Sequence, residues 1–439
     1  MKTTVFSKSC IGELKSSRRR EDDSSVDSTV RTIIERVRKD GDKALLELSE
    51  EIDKTRLQRL AVDKEESDAA ERAVPDSLKK AMETAASNIR KFHEAQRPAT
   101  VSVETMPGIR CISKPVPINS VGLYVPGGSA PLFSTVLMLA VPAKVAGCPE
   151  IFICTPPDRS GRISPLILYA ARLCGVDKVF KAGGAQAIAA MAFGTESIPK
   201  ADKIFGPGNR YVMRAKQMLS TETAIDMPAG PSEVMVIADG SARPDFVAAD
   251  LLSQAEHGAD SQAVLVCLSA EFAREVEKEV YRQMEDLPRK GIASEVMKNS
   301  RFIICSSAEE AVQAANAYAA EHLIISTERP WEIASGITAA GSIFIGNYSP
   351  ESAGDYASGT NHTLPTSGWA KSCSGVNTGS FMKRMTIQEL TMDGLAGIGE
   401  TIMEMAAGEG LEAHRRATEI RLSTTKDYNR NAKPKDSGK

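Results

Sequence analysis

The stretch Ser-Val-Gly-Leu-Tyr-Val-Pro-Gly-Gly-Ser-Ala-Pro (120–131), followed by the apolar run Leu132–Gly147, decides the fold. It reads as a short buried strand, a Gly-rich turn and a helix ended by Gly. The pattern then repeats: strand Glu150–Cys154, helix Ser164–Gly175 with Pro165 in its first turn, strand Lys178–Lys181, helix Ala185–Gly194, strand Lys203–Phe205 and helix Asn209–Leu219. A second series follows, with strands at Val234–Ala238, Ala263–Leu268, Phe302–Cys305, Leu323–Ser326 and Ile343–Ile345. Its helices are Pro244–His257, Glu271–Met284 and Ala308–Ala320. Alternation of this kind predicts parallel sheets with helices on both faces, and two series predict two α/β domains facing each other.

Around this centre, Thr29–Ile52 and Asp76–His93 carry apolar residues at helical spacing, and Met382–Leu422 reads as pure helix. Residues 15–25 are all polar and read as an exposed linker. The last fifteen residues are polar and predict disorder.

At 439 residues and 42% hydrophobic content, the chain can bury a large core in two or three domains. A net charge of -3 implies no basic face and argues against a nucleic-acid partner. No apolar run reaches transmembrane length, and the N-terminus lacks the apolar core of a signal peptide. The eight cysteines form no Cys-x-x-Cys pair. Cys154, Cys267 and Cys305 lie inside apolar runs as small hydrophobes, a usage that fits a reducing cytoplasm.

Histidine is scarce: five residues, four of them beyond residue 250 and each in a polar constellation. His93, among Lys91, Glu94 and Arg97, reads as surface. Gln254 and His257 lie three apart on the last turn of a helix, on one face, where they can hold a divalent metal. Read alone, the segment is better explained as a solvated helix end. Ser349–Pro365 shows almost no secondary-structure pattern, and a loop of that length is usually functional or disordered. Within it Asp355 can ligate a metal, and Asn361 and His362 can bind substrate. The alternative is an Asx-rich surface loop. Glu321-His322 stands where a helical pattern enters a strand, so both side chains can face a cleft and divide acid–base work, although Glu-His is a common dipeptide and by itself reads as ordinary structure.

Gly-rich turns at 125–131, 181–186 and 205–209 sit between strands and helices, where backbone amides can approach phosphates. Neither a Gly-x-Gly-x-x-Gly nor a phosphate-loop pattern occurs. On residues alone the chain is a two-domain α/β enzyme, with metal and nucleotide binding left open.

Six segments carry more. They are Leu-Tyr-Val-Pro-Gly-Gly (123–128), Asp-Met-Pro-Ala-Gly-Pro-Ser-Glu (226–233), Gln-Ala-Glu-His (254–257), Ala-Glu-His-Leu (320–323), Ser-Ala-Gly-Asp-Tyr-Ala-Ser-Gly-Thr-Asn-His (352–362) and Glu-Gly-Leu-Glu-Ala-His (409–414). In this order they resemble the histidinol dehydrogenase family, over about residues 30 to 424.

The resemblance implies a cytoplasmic α/β enzyme of histidine biosynthesis that oxidises L-histidinol to L-histidine through L-histidinal with two NAD and one zinc per subunit. It implies two incomplete Rossmann-like domains with parallel sheets, plus helical N- and C-terminal extensions swapped within a homodimer. The first domain would comprise 29–115 with 231–378 and the second, on the NAD side, 116–230. An arm and linker (1–28), a helical extension (379–424) and a disordered tail (425–439) complete the division.

The same resemblance assigns NAD contacts to Tyr124, Gln186 and Asn209, and zinc ligands to Gln254, His257, Asp355 and His414. Ser232, His362 and Glu409 become substrate-binding residues beside those ligands and His322. Glu409 and His414 would come from the partner subunit. His322 would accept the alcohol proton and Glu321 would activate water on the aldehyde. One place departs from the family pattern: Thr-Tyr-Gly-Tyr is Thr366-Ser367-Gly368-Trp369 here, which bears on the pocket wall and substrate preference. Two competing readings are a paralogue acting on another primary alcohol, such as a sulfonated diol, and a zinc-dependent scaffold without redox activity. The intact Ser232, His362 and Glu409 weigh against the first, the intact Glu321-His322 pair against the second.

Overall fold

In the computed structural model, which describes residues 1–16, 24–127, 131–228 and 230–431, the chain opens with strand β1 (Lys2–Val5) and helix α1 (Lys8–Ser16). Helices α2 (Ser24–Glu51), α3 (Lys64–Ala73) and α4 (Asp76–Ala95) follow, then strands β2 (Val101–Met106) and β3 (Ile109–Pro117). The first predicted series appears as β4 (Ser120–Tyr124), α5 (Phe133–Ala146), β5 (Glu150–Thr155), α6 (Pro165–Leu173), β6 (Lys178–Lys181), α7 (Gly184–Phe193), β7 (Lys203–Phe205), α8 (Arg210–Leu219) and β8 (Ala224–Ile225). These strands form a five-stranded parallel sheet in the order β6-β5-β4-β7-β8. Parallel strands covered on both faces must be apolar throughout, and every residue of β4 is buried.

The second series comprises β9 (Glu233–Ala238), α9 (Pro244–Ala255), β10 (Gln262–Cys267), α10 (Ala270–Met284), α11 (Lys290–Asn299), β11 (Arg301–Ile304), α12 (Ala308–Tyr318), β12 (His322–Ser326), α13 (Pro330–Ser335), β13 (Ser342–Ile345) and α14 (Glu351–Tyr356). With β1 on one edge, its strands make a six-stranded parallel sheet, β1-β11-β10-β9-β12-β13. Both sheets lie in one compact unit, Met1–Arg97 with Pro117–Phe381. A second unit, Pro98–Val116 with Met382–Lys439, contains β2, most of β3, strand β14 (Met382–Leu390) and helices α15 (Met392–Gly408) and α16 (Glu412–Asn431). Its three strands form the sheet β14-β3-β2. No helix among the described residues is long and apolar enough to cross a membrane.

Several sequence expectations change. Met382–Leu422 is not pure helix. Residues 382–390 are a strand, and helix begins only at α15, where the Thr391 side chain caps by accepting from Gly394 N. Within the expected N-terminal arm, residues 2–5 pair as an edge strand. The helices before residue 97 were grouped with 231–378, yet α2 buries Val30, Leu45 and Leu48 in the same core as Ile188, Met191 and Val212 of α7 and α8. Packing therefore ties α2 to the five-stranded sheet. His93 is not on the surface: it is fully buried on α4, with Nδ1 2.8 Å from the Ile89 carbonyl, while its neighbour Phe92 is exposed. Periodicity in a charged helix left the facing side ambiguous by one residue. Most of the 15–25 linker (17–23) and part of the tail (432–439) lie outside the described residues, whereas α16 runs to Asn431.

Candidate active site

The two sheets contribute opposite edges. On the five-stranded sheet, three candidate nucleotide contacts gather at the carboxyl ends of β4, β6 and β7, where open α/β sheets bind ligands. The buried Tyr124 ends β4, and its hydroxyl accepts from Gly184 N at 3.1 Å. Gln186, also buried, donates from Nε2 to Asp53 Oδ2 at 3.5 Å. Asn209 caps α8, its Oδ1 accepting from Tyr211 N and Val212 N, which leaves its amide nitrogen for other partners. Gly206, with φ of 131°, lies so close to the Tyr124 carbonyl that a Cβ there would collide with it. The first Gly-rich turn is described only to Gly127; its residues 128–130 lie outside the described residues.

On the six-stranded sheet the amino ends matter. Strand register sets His322 beside Val234, so Glu321 and Glu233 are neighbours at the start of β12 and β9. Glu321 Oε2 accepts from Glu233 N at 2.9 Å. Ser232 precedes β9, half-buried, and its carbonyl accepts from Gln262 N. His322 is 4% exposed and surrounded by carboxylates. Its Nδ1 lies 3.5 Å from Glu351 Oε1 and 3.8 Å from Glu321 Oε2, and its Nε2 lies 3.4 Å from Asp355 Oδ1. None of these contacts is aligned as a hydrogen bond, and both ring nitrogens lack a hydrogen-bond partner.

Ser349–Pro365, expected as a loop, contains α14. Pro350 and Glu351 start it, and Asp355 lies on its last turn. His362 is held from both sides, Nδ1 3.0 Å from the Asp355 carbonyl and Nε2 3.4 Å from Thr135 Oγ1 of α5. Asn361 is buried and donates to the Met138 carbonyl at 2.5 Å, so it braces the backbone rather than opening onto solvent. Ser367 and Trp369, where the family pattern departs, stand close by. Ser367 N donates to Glu233 Oε1 at 3.1 Å, and Trp369 is 45% exposed.

Electrostatics single out the cluster. Burial lowers the His322 pKa, but Glu351, Glu321 and Asp355 outweigh it and hold the imidazole at about 10. Burial pushes Glu321 up to about 7 and Glu351 to about 8, each partly offset by His322. Burial also opposes ionisation of Asp355, but contact with His322 prevails and keeps its carboxyl below the usual range.

One ligating atom each from His257, Glu351 and Asp355 lies within 4.8 Å of the others, beside a cavity of about 440 Å³. Gln254, one turn before His257, is wholly buried with neither amide atom hydrogen-bonded. Unpaired buried polar atoms and surplus buried negative charge both fit a bound cation. Glu409 and His414 belong to the second unit, at the end of α15 and in the first turn of α16, where both are exposed. Glu351, Glu233 and Thr135 are site residues that the sequence reading missed. Pro350-Glu351 is a helix-start signal that could have drawn attention to the first.

Two open parallel sheets, one presenting its carboxyl edge and the other an imidazole–carboxylate cluster that fits a cation, define a two-sheet α/β protein with a candidate acid–base and cation site. The model of the histidinol dehydrogenase family matches residues 16–422. Histidinol dehydrogenase of Bacteroides thetaiotaomicron is 58% identical over 403 residues, covering 92% of this chain and 94% of that protein. The Escherichia coli K12 histidinol dehydrogenase is 53% identical over 406 residues, 92% and 93% of the two chains. The crystal structure of histidinol dehydrogenase from Elizabethkingia anophelis superposes with a TM-score of 0.94 at 49% identity, over 97% of this chain and 99% of that one. The chain belongs to the histidinol dehydrogenase family.

Proposed function

We propose that the protein oxidises L-histidinol to L-histidine through L-histidinal, using two NAD, at a zinc held by Gln254, His257, Asp355 and His414. The observation that carries this reading is the Glu321-His322 pair buried against Asp355, within a chain of this family. Bound zinc would supply a grip on the substrate's amino and imidazole nitrogens and offset the carboxylate charge.

The chain's own residues do the rest. His322, at Nε2, takes the hydroxyl proton of histidinol as the carbinol hydride leaves for NAD, giving the aldehyde. Glu321 then removes a proton from water as the water oxygen attacks the aldehyde carbon, giving the hydrate as its monoanion. Loss of a second hydride to NAD and of a hydroxyl proton yields the carboxylate. Ser232 and His362 bind the substrate, and Tyr124, Gln186 and Asn209 hold the dinucleotide at the other sheet edge. Burial of the pair excludes bulk water, so the aldehyde is retained between steps.

Glu409 and His414 complete each site from a second copy of the chain. Their exposure, and the exposed Met405, Leu411 and Ile420 around them, support a homodimer. All eight cysteines are free and six are buried, which suits a reducing cytoplasm. The test is NADH formation on mixing protein, NAD and L-histidinol, with two NADH per histidine produced. Absence of NADH from zinc-loaded protein would refute the reading.

A further inference from the structure

His322 needs an orienting group if it is to act as a base, because a neutral imidazole works only in the tautomer that leaves the reacting nitrogen unprotonated. We propose that Glu351 is this positioning residue, holding the proton of His322 on Nδ1 so that Nε2 faces substrate. The inference rests on the reading of His322 as the base of the alcohol step.

The geometry separates Glu351 from its neighbours. Of the carboxylates near Nδ1, Glu351 is the nearer at 3.5 Å, against 3.8 Å for Glu321. Glu321 Oε2, the oxygen on that side, is already engaged by Glu233 N at 2.9 Å. Asp355 lies on the other side of the ring, at Nε2. Glu351 is anchored where it stands. Its Oε2 accepts from Ser253 Oγ at 3.4 Å, it begins α14, and it is 1% exposed. With Oε2 held by α9 and Oε1 turned to the ring, the side chain bridges α9 and β12 through the imidazole. Base–orienter contacts of this kind are commonly long before substrate binds and tighten in the complex. The arrangement also divides labour. Glu351 sets the tautomer, which frees Glu321 for the water step.

Glu351 also lies within ligating distance of His257 and Asp355, so the competing role is that of a metal ligand. Histidine scarcity makes the two roles separable. With [15N]histidine the zinc-loaded enzyme carries only five labelled imidazoles, and the signal lost in His322→Gln identifies His322. The expected wild-type signal is the Nδ1–H tautomer. In Glu351→Gln the amide can donate as well as accept, so the preference should be lost. Zinc content should stay at the wild-type level, while kcat falls about 10- to 100-fold with KM for histidinol little changed.

Glu351→Asp keeps the charge. It should restore the tautomer and part of kcat, and it serves if the Gln variant does not fold. Loss of zinc from Glu351→Gln would make the residue a ligand and overturn the proposal. An unchanged Nδ1–H signal in that variant would overturn it as well. If wild-type protein forms no NADH from histidinol, the proposed function fails, yet the tautomer readout still judges the contact itself.

Discussion

Nε2 of His322 stands 3.4 Å from Oδ1 of Asp355, and neither atom has an aligned hydrogen-bond partner. One residue opens a central strand and the other lies on a short helix after the sheet's last strand. Their meeting brings the Glu321-His322 pair and the His257–Glu351–Asp355 cluster into one constellation. Glu321 and Glu351 crowd the same ring, so the folded chain confines three carboxylates around one imidazole. Like charges at this depth are costly unless a cation shares the space.

Metal content follows from that balance. His257→Asn removes one donor of the cluster at its open side and should reduce zinc to well under one per chain, with turnover abolished. Elemental analysis of the purified variant checks this. Full occupancy there would remove His257 from the ligand set.

The two steps should separate at Glu321. Glu321→Gln cannot take a proton from water, so histidine formation from added histidinal should drop about 100- to 10,000-fold. The first hydride transfer from histidinol should fall far less, since His322 remains. Single-turnover NADH formation from each substrate is the measurement. Equal losses on both would mean that the pair acts as one unit whose members have no separate steps.

The proposed contribution of Glu409 and His414 from a second copy can be tested by mixing. His322→Ala and His414→Ala chains should each be inactive alone. Heterodimers formed from them would contain one wholly wild-type site of two, and an equal mixture should recover about a quarter of wild-type activity. No recovery from demonstrated heterodimers would place His414 and His322 of one chain in the same site.

Much of this was legible in the sequence because it depends on local pattern. Both strand–helix series appear within a residue or two of their expected bounds, since buried parallel strands must be continuously apolar. Glu321-His322 was readable as a strand entry, and its neighbours were not. Glu351 reaches the ring through tertiary packing alone, and Glu233 through register between β9 and β12. The strand β14 escaped because its nine residues are exposed or only part-buried and carry no sharp alternation. Tyr124 and Gln186 lay in recognisable turns, but their pairing with Gly184 N and Asp53 required the fold.

A buried ion pair secures the turn after β7. Lys216 pairs with Asp226, both at most 4% exposed, and Lys216 Nζ donates to the Gly206 carbonyl at 2.9 Å. Asp226 Oδ2 in turn accepts from Gly206 N at 2.8 Å. Lys216→Met leaves a buried carboxylate without its cation and should destabilise the protein by about 3–5 kcal/mol. Adding Asp226→Asn should recover much of that loss. Denaturant unfolding of wild type, both single variants and the double variant measures the coupling, and purely additive losses would show that the pair is not coupled.

His93 should give the protein an acid sensitivity of its own. Burial lowers its pKa below the ordinary 6.5, against a smaller opposing effect of the Ile89 carbonyl. The folded chain therefore keeps His93 neutral under conditions in which the unfolded chain protonates it. The sign follows: His93 favours folding fully above about pH 6.5, and that contribution is lost as pH falls from there towards its folded pKa. Within that window the loss approaches about 1.4 kcal/mol per pH unit for a single proton. His93→Phe keeps an apolar ring in the site between α4 and its neighbours and removes the titration. The stability difference, wild type minus variant, should therefore shrink or reverse as pH drops from about 7 to about 5. Urea unfolding of both proteins at matched pH values measures it. A difference independent of pH would mean that His93 takes up its proton in the folded chain as readily as in the unfolded one.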